Sequence, residues 1–93
     1  MFYIICYDIT EPKRLQRIAK ILEGHGQRVQ YSVFECDLTD RQYRELRRRL
    51  GRVVQVSEGD SLRFYQLCAP CSQSVEVVGQ GPPPEKSDNV YII

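Results

Sequence analysis

Apolar side chains form two different patterns at the start of the chain. Residues 2–10 form an almost unbroken apolar run with β-branched and aromatic side chains, typical of a strand buried on both faces. Over residues 12–23 apolar side chains recur at three- and four-residue spacing, which predicts an amphipathic helix. Gly24 and Gly26 then suit a helix C-terminus. A strand followed by a helix is therefore predicted.

Residues 27–38 are rich in strand formers and alternate in character. No turn dipeptide divides them, so the pattern fits one long bent strand or two strands in a tight hairpin. One face would carry Val29, Tyr31 and Val33. The opposite face mixes polar and aromatic side chains and suits a partner subunit or a ligand; it comprises Arg28, Gln30, Ser32, Phe34 and Cys36.

A second helix is predicted to begin at the capping box that Thr39 forms with Gln42. We expect it to continue through Gly51, although a glycine can also end a helix. Residues 61–67 alternate as another strand, and residues 75–78 are predicted as a short last strand. This order matches an α+β fold, a ferredoxin-like βαββαβ sandwich whose antiparallel sheet carries two helices on one face.

The length of 93 residues predicts one domain with a modest core. Such a chain is too small to bury both faces of a sheet generously, and dimerisation would bury more of that surface. We assign residues 1–78 to the ferredoxin-like domain. Residues 79–93 form a Pro/Gly-rich tail, whose apolar end is expected to dock on its own or a neighbouring subunit. No run is long enough to span a membrane and no signal peptide is evident, so we expect a cytoplasmic protein.

Basic residues are concentrated in the middle of the chain. The formal net charge is only +1, but twelve of the thirteen Lys and Arg lie between Lys13 and Arg63. The second predicted helix alone carries six arginines. Arginine-rich faces bind phosphate bidentately, yet many arginines on exposed helices are plain solvated surface. The pattern is therefore as consistent with a nucleic-acid-binding surface as with a surface that is simply solvated.

Asp8 ends the first apolar run, where an ionised carboxylate needs a partner. It can cap the following helix, in which Pro12 stands near the position that favours proline. Alternatively, it can hold a metal ion. Strand-end aspartates are more often caps, so the residue alone favours capping.

Cys68 and Cys71 have the spacing of a redox pair or of two zinc ligands. A thioredoxin-like site would need a helix to begin there, and structural zinc would need two more ligands. We favour a cross-link that closes the loop, or two thiols without a specific role. A zinc site shared across a dimer is the alternative. Cys6 and Cys36 lie within predicted strands and are interpreted as small buried hydrophobes.

Three sequence blocks carry a family resemblance. The first is Y-D-I-T at residues 7–10 with R-I-A at 17–19, the second is R-V-Q-Y-S-V-F-E-C-D-L at 28–38, and the third is S-L-R-F-Y at 61–65. Together they closely resemble CRISPR-associated protein 2, a small protein that works with the integrase of its operon to acquire new spacers. The resemblance covers residues 2 to about 78.

The resemblance implies a homodimer in which the helix-free sheet faces oppose each other. It also implies that Asp8 and its symmetry mate hold Mg²⁺ at the dimer cleft for hydrolysis of RNA or DNA. A two-fold axis would supply the second carboxylate, because one carboxylate alone binds Mg²⁺ poorly. The alternative is a non-catalytic adaptor that binds DNA and bridges subunits of the CRISPR-associated protein 1 integrase.

Further residues match positions that the family places near this site. Tyr7 and Ser32 would join Asp8 in the catalytic group, and the expected nucleic-acid contacts are Arg14, Arg17, Arg28 and Phe34. Of these, Arg17 and Arg28 would hold phosphate oxygens, and Phe34 would pack against a base or the partner chain. Leu15 stands where some family members carry an arginine, with Arg14 beside it.

Overall fold

A computed structural model describes residues 1–83 of the chain. In chain order, its elements are β1 (Phe2–Asp8), α1 (Pro12–Glu23), β2 (Gln27–Gln30), β3 (Val33–Asp37), α2 (Asp40–Val53), β4 (Ser61–Leu67) and α3 (Ala69–Gln73). The strands form one antiparallel sheet in the order β2-β3-β1-β4, so the predicted α+β, ferredoxin-like arrangement is confirmed. No helix in this part of the chain is long and apolar enough to cross a membrane.

The core lies between one face of the sheet and the helices α1 and α2. Tyr3 of β1 stacks on Tyr43 of α2 with ring centroids 4.5 Å apart, and Tyr43 also meets Phe64 of β4 edge-on at 5.8 Å. The fully buried aliphatic side chains come from β1 and from both helices: Ile5, Ile18, Leu22, Leu46 and Leu50. Both helices bury their apolar stripes here, so neither α1 nor α2 lies on the opposite face of the sheet.

Residues 27–38 form a hairpin, with Tyr31 and Ser32 at the turn between β2 and β3. Arg28, Phe34 and Cys36 share one face as predicted, but the expectation that this face meets a partner subunit is wrong, because it is the face turned toward the helices. Phe34 and Cys36 have 0 % exposure and lie in the core. The reason is register: Phe34 lies directly opposite Ile5 of β1, so both side chains point toward the helices.

The prediction of a short strand over residues 75–78 is wrong: β4 is followed by α3, and residues 75–78 belong to no strand of the sheet. Pro70 lies in the first turn of α3, where its fixed φ is compatible with a helix. Residues 75–82 then line a cavity with parts of β2 and β3, and Gln27 donates its amide to the Pro83 carbonyl at 3.0 Å. The expected docking of the apolar end concerns residues outside 1–83 and stays a prediction.

Gly51 lies inside α2, as expected, and a methyl group added there would meet no heavy atom within 4 Å. We expect Gly51→Ala to raise the free energy of unfolding by roughly 0.5–1 kcal/mol, because alanine loses less backbone entropy in a helix. Urea unfolding checks this. Gly26→Ala is the control, since its methyl group would collide with Cys36 Sγ and the Glu35 carbonyl and lower stability. A loss of stability in Gly51→Ala would contradict the prediction.

Candidate functional site

Asp8 is an exposed carboxylate at the end of β1. Within residues 1–83 it makes no hydrogen bond or ion pair. The capping interpretation is wrong, because Glu11 caps α1: its carboxylate accepts the backbone N–H groups of Lys13 at 3.1 Å and Arg14 at 2.9 Å. These two bonds lower the pKa of Glu11. Asp8 is therefore free to bind a ligand from outside the chain.

Asp60, just before β4, is the charged group that holds this region together. Its side chain is fully buried and accepts Arg14 Nε at 2.8 Å. It also accepts the backbone N–H of Thr10 at 3.0 Å and that of Gln55 at 2.9 Å. The Arg14 guanidinium and these amides hold the pKa of Asp60 far below its usual range.

The Asp60 cluster fixes the backbone on both sides of Asp8. Thr10, which donates to Asp60, lies two residues after Asp8, and Ser61, which follows Asp60, lies directly opposite Asp8 in the β1–β4 ladder. The cluster also occupies Arg14, which is only 15 % exposed and bonded to Asp60, so its expected contact with phosphate does not fit this position. No local pattern in the sequence marks Asp60 as the partner of Arg14, because the two residues lie 46 positions apart.

Tyr7 points into the core, on the opposite side of the sheet from Asp8. Its hydroxyl donates to the Tyr31 carbonyl at 3.2 Å, and its backbone N–H donates to the Ser32 carbonyl at 3.2 Å. Burial raises the pKa of the Tyr7 phenol, although Arg28 opposes this. Tyr7 is therefore a neutral phenol that holds the β2–β3 turn, and with it Ser32, beside the end of β1.

Arg28 and Phe34 lie opposite each other in the hairpin, with the guanidinium carbon 5.3 Å from the ring centroid. The Arg28 side chain is 40 % exposed and 3.9 Å from the Glu23 carboxylate. Because Phe34 is buried, its ring cannot stack on a base and instead supports Arg28. Arg17 is exposed on α1 and forms no ion pair within residues 1–83. Arg17 and Arg28 thus remain accessible to a phosphate.

The chain by itself offers few ligands for a metal ion. The described part of the chain contains no group of three or more His, Cys, Asp or Glu side chains that could hold a metal ion. Mg²⁺ is commonly bound by one or two carboxylates together with water and substrate phosphates. The free, exposed carboxylate of Asp8 fits that chemistry as one ligand.

The outer face of α2 is an arginine stripe on the side opposite the buried Leu46 and Leu50. Its members recur every three or four residues: Arg41, Arg44, Arg48 and Arg52. Within residues 1–83, Arg48 alone among them is ion-paired, to Glu45 at 2.7 Å. The other three are exposed and form no ion pair within residues 1–83.

Comparisons with known proteins agree on one family. The sequence model of the family described as "CRISPR associated protein Cas2" matches residues 1–75. The "CRISPR-associated endoribonuclease Cas2 1" of Chloroflexus aurantiacus is 56 % identical over 93 residues, the whole of both chains. The crystal structure of Streptococcus pyogenes Cas2 at pH 6.5 is 36 % identical, with a TM-score of 0.74 over 85 % of this chain and 100 % of that one.

A further solved chain comes from a structure described as a partial Cas6-RT-Cas1–Cas2 complex. It is 29 % identical, with a TM-score of 0.70 over 83 % of this chain and 89 % of that chain. The similarity thus extends to a chain solved within a larger assembly.

Proposed function

The chain belongs to the CRISPR-associated protein Cas2 family, and on that premise we propose that it is a homodimeric, Mg²⁺-dependent endonuclease of the spacer-acquisition stage. Its substrate is RNA or DNA, and the Chloroflexus relative is named an endoribonuclease. The observation that carries the proposal is Asp8, an exposed strand-end carboxylate without an internal partner, on a backbone that the Asp60 cluster holds in place.

Dimerisation is proposed through the helix-free face of the sheet. This face carries the half-buried side chains of Ile4, Cys6 and Val33, and Tyr65 is 46 % exposed. Such a surface is more apolar than a solvated face and suits burial against a second copy. Asp8 lies at the end of the same face, so a two-fold axis near the end of β1 brings two Asp8 carboxylates together.

Each accessible residue then has a defined task. When bound, Mg²⁺ supplies polarisation of the scissile phosphate and a water of lowered pKa. The Asp8 carboxylates hold the cation, and Arg17 and Arg28 donate charge-assisted hydrogen bonds to phosphate oxygens. Tyr7 keeps the turn with Ser32 beside the site, where the serine can bond to the nucleic-acid backbone or to water.

Metal removal tests the activity. The purified protein is incubated with labelled single- and double-stranded RNA and DNA, with Mg²⁺ or with excess EDTA, and its mass is measured by light scattering. We expect a dimer and cleavage only with Mg²⁺, and the cleaved substrate identifies the specificity. Cleavage that survives EDTA would contradict the metal-dependent mechanism.

A second candidate function, also proposed here, is a non-catalytic adaptor that binds duplex DNA and bridges integrase subunits. The arginine stripe on α2 supports it, because unpaired arginines along one helix suit a phosphate backbone. The similarity to a chain solved in a Cas1–Cas2 assembly supports the integrase as partner. Absence of cleavage in every reaction, from a dimer that binds duplex DNA, would favour this function alone.

The salt dependence of DNA binding tests the stripe. We expect the Arg44→Gln/Arg52→Gln double variant to weaken binding to all duplex sequences alike and to reduce the slope of log K against log salt by about 2, one counterion per lost contact. Fluorescence anisotropy at several salt concentrations measures this slope. Arg48→Gln is the matched control, because Glu45 already neutralises Arg48 and the slope should change little. An unchanged slope in the double variant would exclude the stripe as the DNA contact.

A further inference from the structure

Cys68 and Cys71 form an exposed thiol pair at the start of α3. Their Sγ atoms lie 2.9 Å apart, in hydrogen-bond contact. The other two cysteines differ, since Cys36 is buried in the core and Cys6 is half-buried in β1. The exposed pair contributes nothing to the core and is accessible to reagents in solution.

The backbone around the pair is held in a turn that keeps the thiols adjacent. Cys68 is the N-cap of α3, and Pro70 stands in the first turn. The backbone N–H of Ser72 donates to the Cys68 carbonyl at 2.8 Å, and that of Ser74 donates to the Cys71 carbonyl at 3.1 Å. A short helix of five residues therefore begins directly after Cys68, which the sequence pattern did not predict.

The two thiols are not equivalent. Hydrogen bonding with Cys71 lowers the pKa of the Cys68 thiol. The pKa of Cys71 is raised, since its proton is shared with the sulfur of Cys68. With the Sγ atoms 2.9 Å apart, either thiol can attack a disulfide formed on the other, and the lowered pKa of Cys68 favours it as the first nucleophile.

We propose that Cys68 and Cys71 form a reversible dithiol–disulfide couple that exchanges with low-molecular-weight disulfides. The Cys68 thiolate attacks one sulfur of the small disulfide, whose S–S bond breaks as one small thiolate leaves. Cys71 then transfers its proton to solvent and attacks Cys68 Sγ, which expels the second small thiolate. The two protein thiols are oxidised, and the small disulfide is reduced to two thiols. None of these steps involves Asp8 or a metal ion.

The test is oxidation by glutathione disulfide, followed by intact mass and tryptic peptide analysis. Cleavage after Arg63 and Lys86 places Cys68 and Cys71 alone on one peptide, without Cys6 or Cys36. We expect this peptide to lose two hydrogen atoms and to regain them with dithiothreitol. Glutathione that remains on the wild-type peptide, or oxidation confined to other cysteines, would overturn the proposal.

Two serine variants separate the roles within the pair. Cys71→Ser should stop at the mixed disulfide with glutathione on Cys68, whereas Cys68→Ser should react at least about tenfold more slowly. Should a variant fail to fold, the rates at which iodoacetamide alkylates the two cysteines of the wild type decide the same point. Faster alkylation of Cys71 than of Cys68 would contradict the assignment.

Discussion

Replacing Asp8 with asparagine is expected to lower the rate of nucleic-acid cleavage by at least about 100-fold. Asparagine keeps the shape of the side chain but removes the negative charge that binds Mg²⁺. The fold should be unaffected, because the side chain of Asp8 makes no hydrogen bond or ion pair within residues 1–83. The measurement is kcat/KM on the substrate that the wild type cleaves, at saturating Mg²⁺, with dimer mass and duplex binding measured in parallel.

Asp40→Asn is the matched control, because Asp40 is also an exposed aspartate but lies at the first turn of α2. It should cleave at the wild-type rate. Undiminished cleavage by Asp8→Asn would exclude Asp8 as the metal ligand. Dissociation of the Asp8→Asn dimer would instead show that the carboxylate acts on assembly and not on chemistry.

The largest expected loss of stability comes from Asp60→Asn. The substitution removes the nearest and most buried carboxylate, at 2.8 Å, from the Arg14 guanidinium, which is only 15 % exposed. The carboxylates of Glu11 and Glu58 remain, but at 3.9 and 4.0 Å and more exposed to solvent. The substitution also places an amide N–H₂ among the N–H groups of Thr10 and Gln55, which need an acceptor. Because breaking a buried ion pair is strongly destabilising, we expect the midpoint of thermal unfolding to fall by roughly 10 °C or more. Circular dichroism at pH 7 measures it.

Glu45→Gln is the control for the Asp60 variant, because it removes an ion pair of similar length on the exposed face of α2. Exposed pairs are screened by solvent and contribute little, so the unfolding midpoint should hardly move. Equal effects of the two substitutions would contradict the special role assigned to the Asp60 cluster.

The depressed pKa of Asp60 also predicts how stability depends on pH. The folded state holds this pKa below its unfolded value of about 3.9, so the stabilisation is fully present above that value. It is lost as the pH falls below about 4 toward the lower folded pKa. The difference in unfolding midpoint between wild type and Asp60→Asn should therefore be largest near neutral pH and shrink in acid. A difference that stays constant down to pH ~2.5 would contradict this linkage.

Local patterns in the sequence determined much of the fold. Both long helices follow from apolar periodicity, and the capping box at Thr39 and Gln42 is present as predicted. The apolar run before Asp8 and the alternation over 61–67 identified two strands. These elements were predictable because their signals lie within one or two turns of helix or along a single strand. The family was likewise carried by short contiguous blocks.

The tertiary structure alone decided which of the predicted site residues are accessible. Phe34 is buried because strand register places it opposite Ile5, and Arg14 is occupied because Asp60 reaches it from 46 residues away. Periodicity and spacing report local geometry, whereas these outcomes depend on contacts between distant segments, which form only when the whole chain has folded.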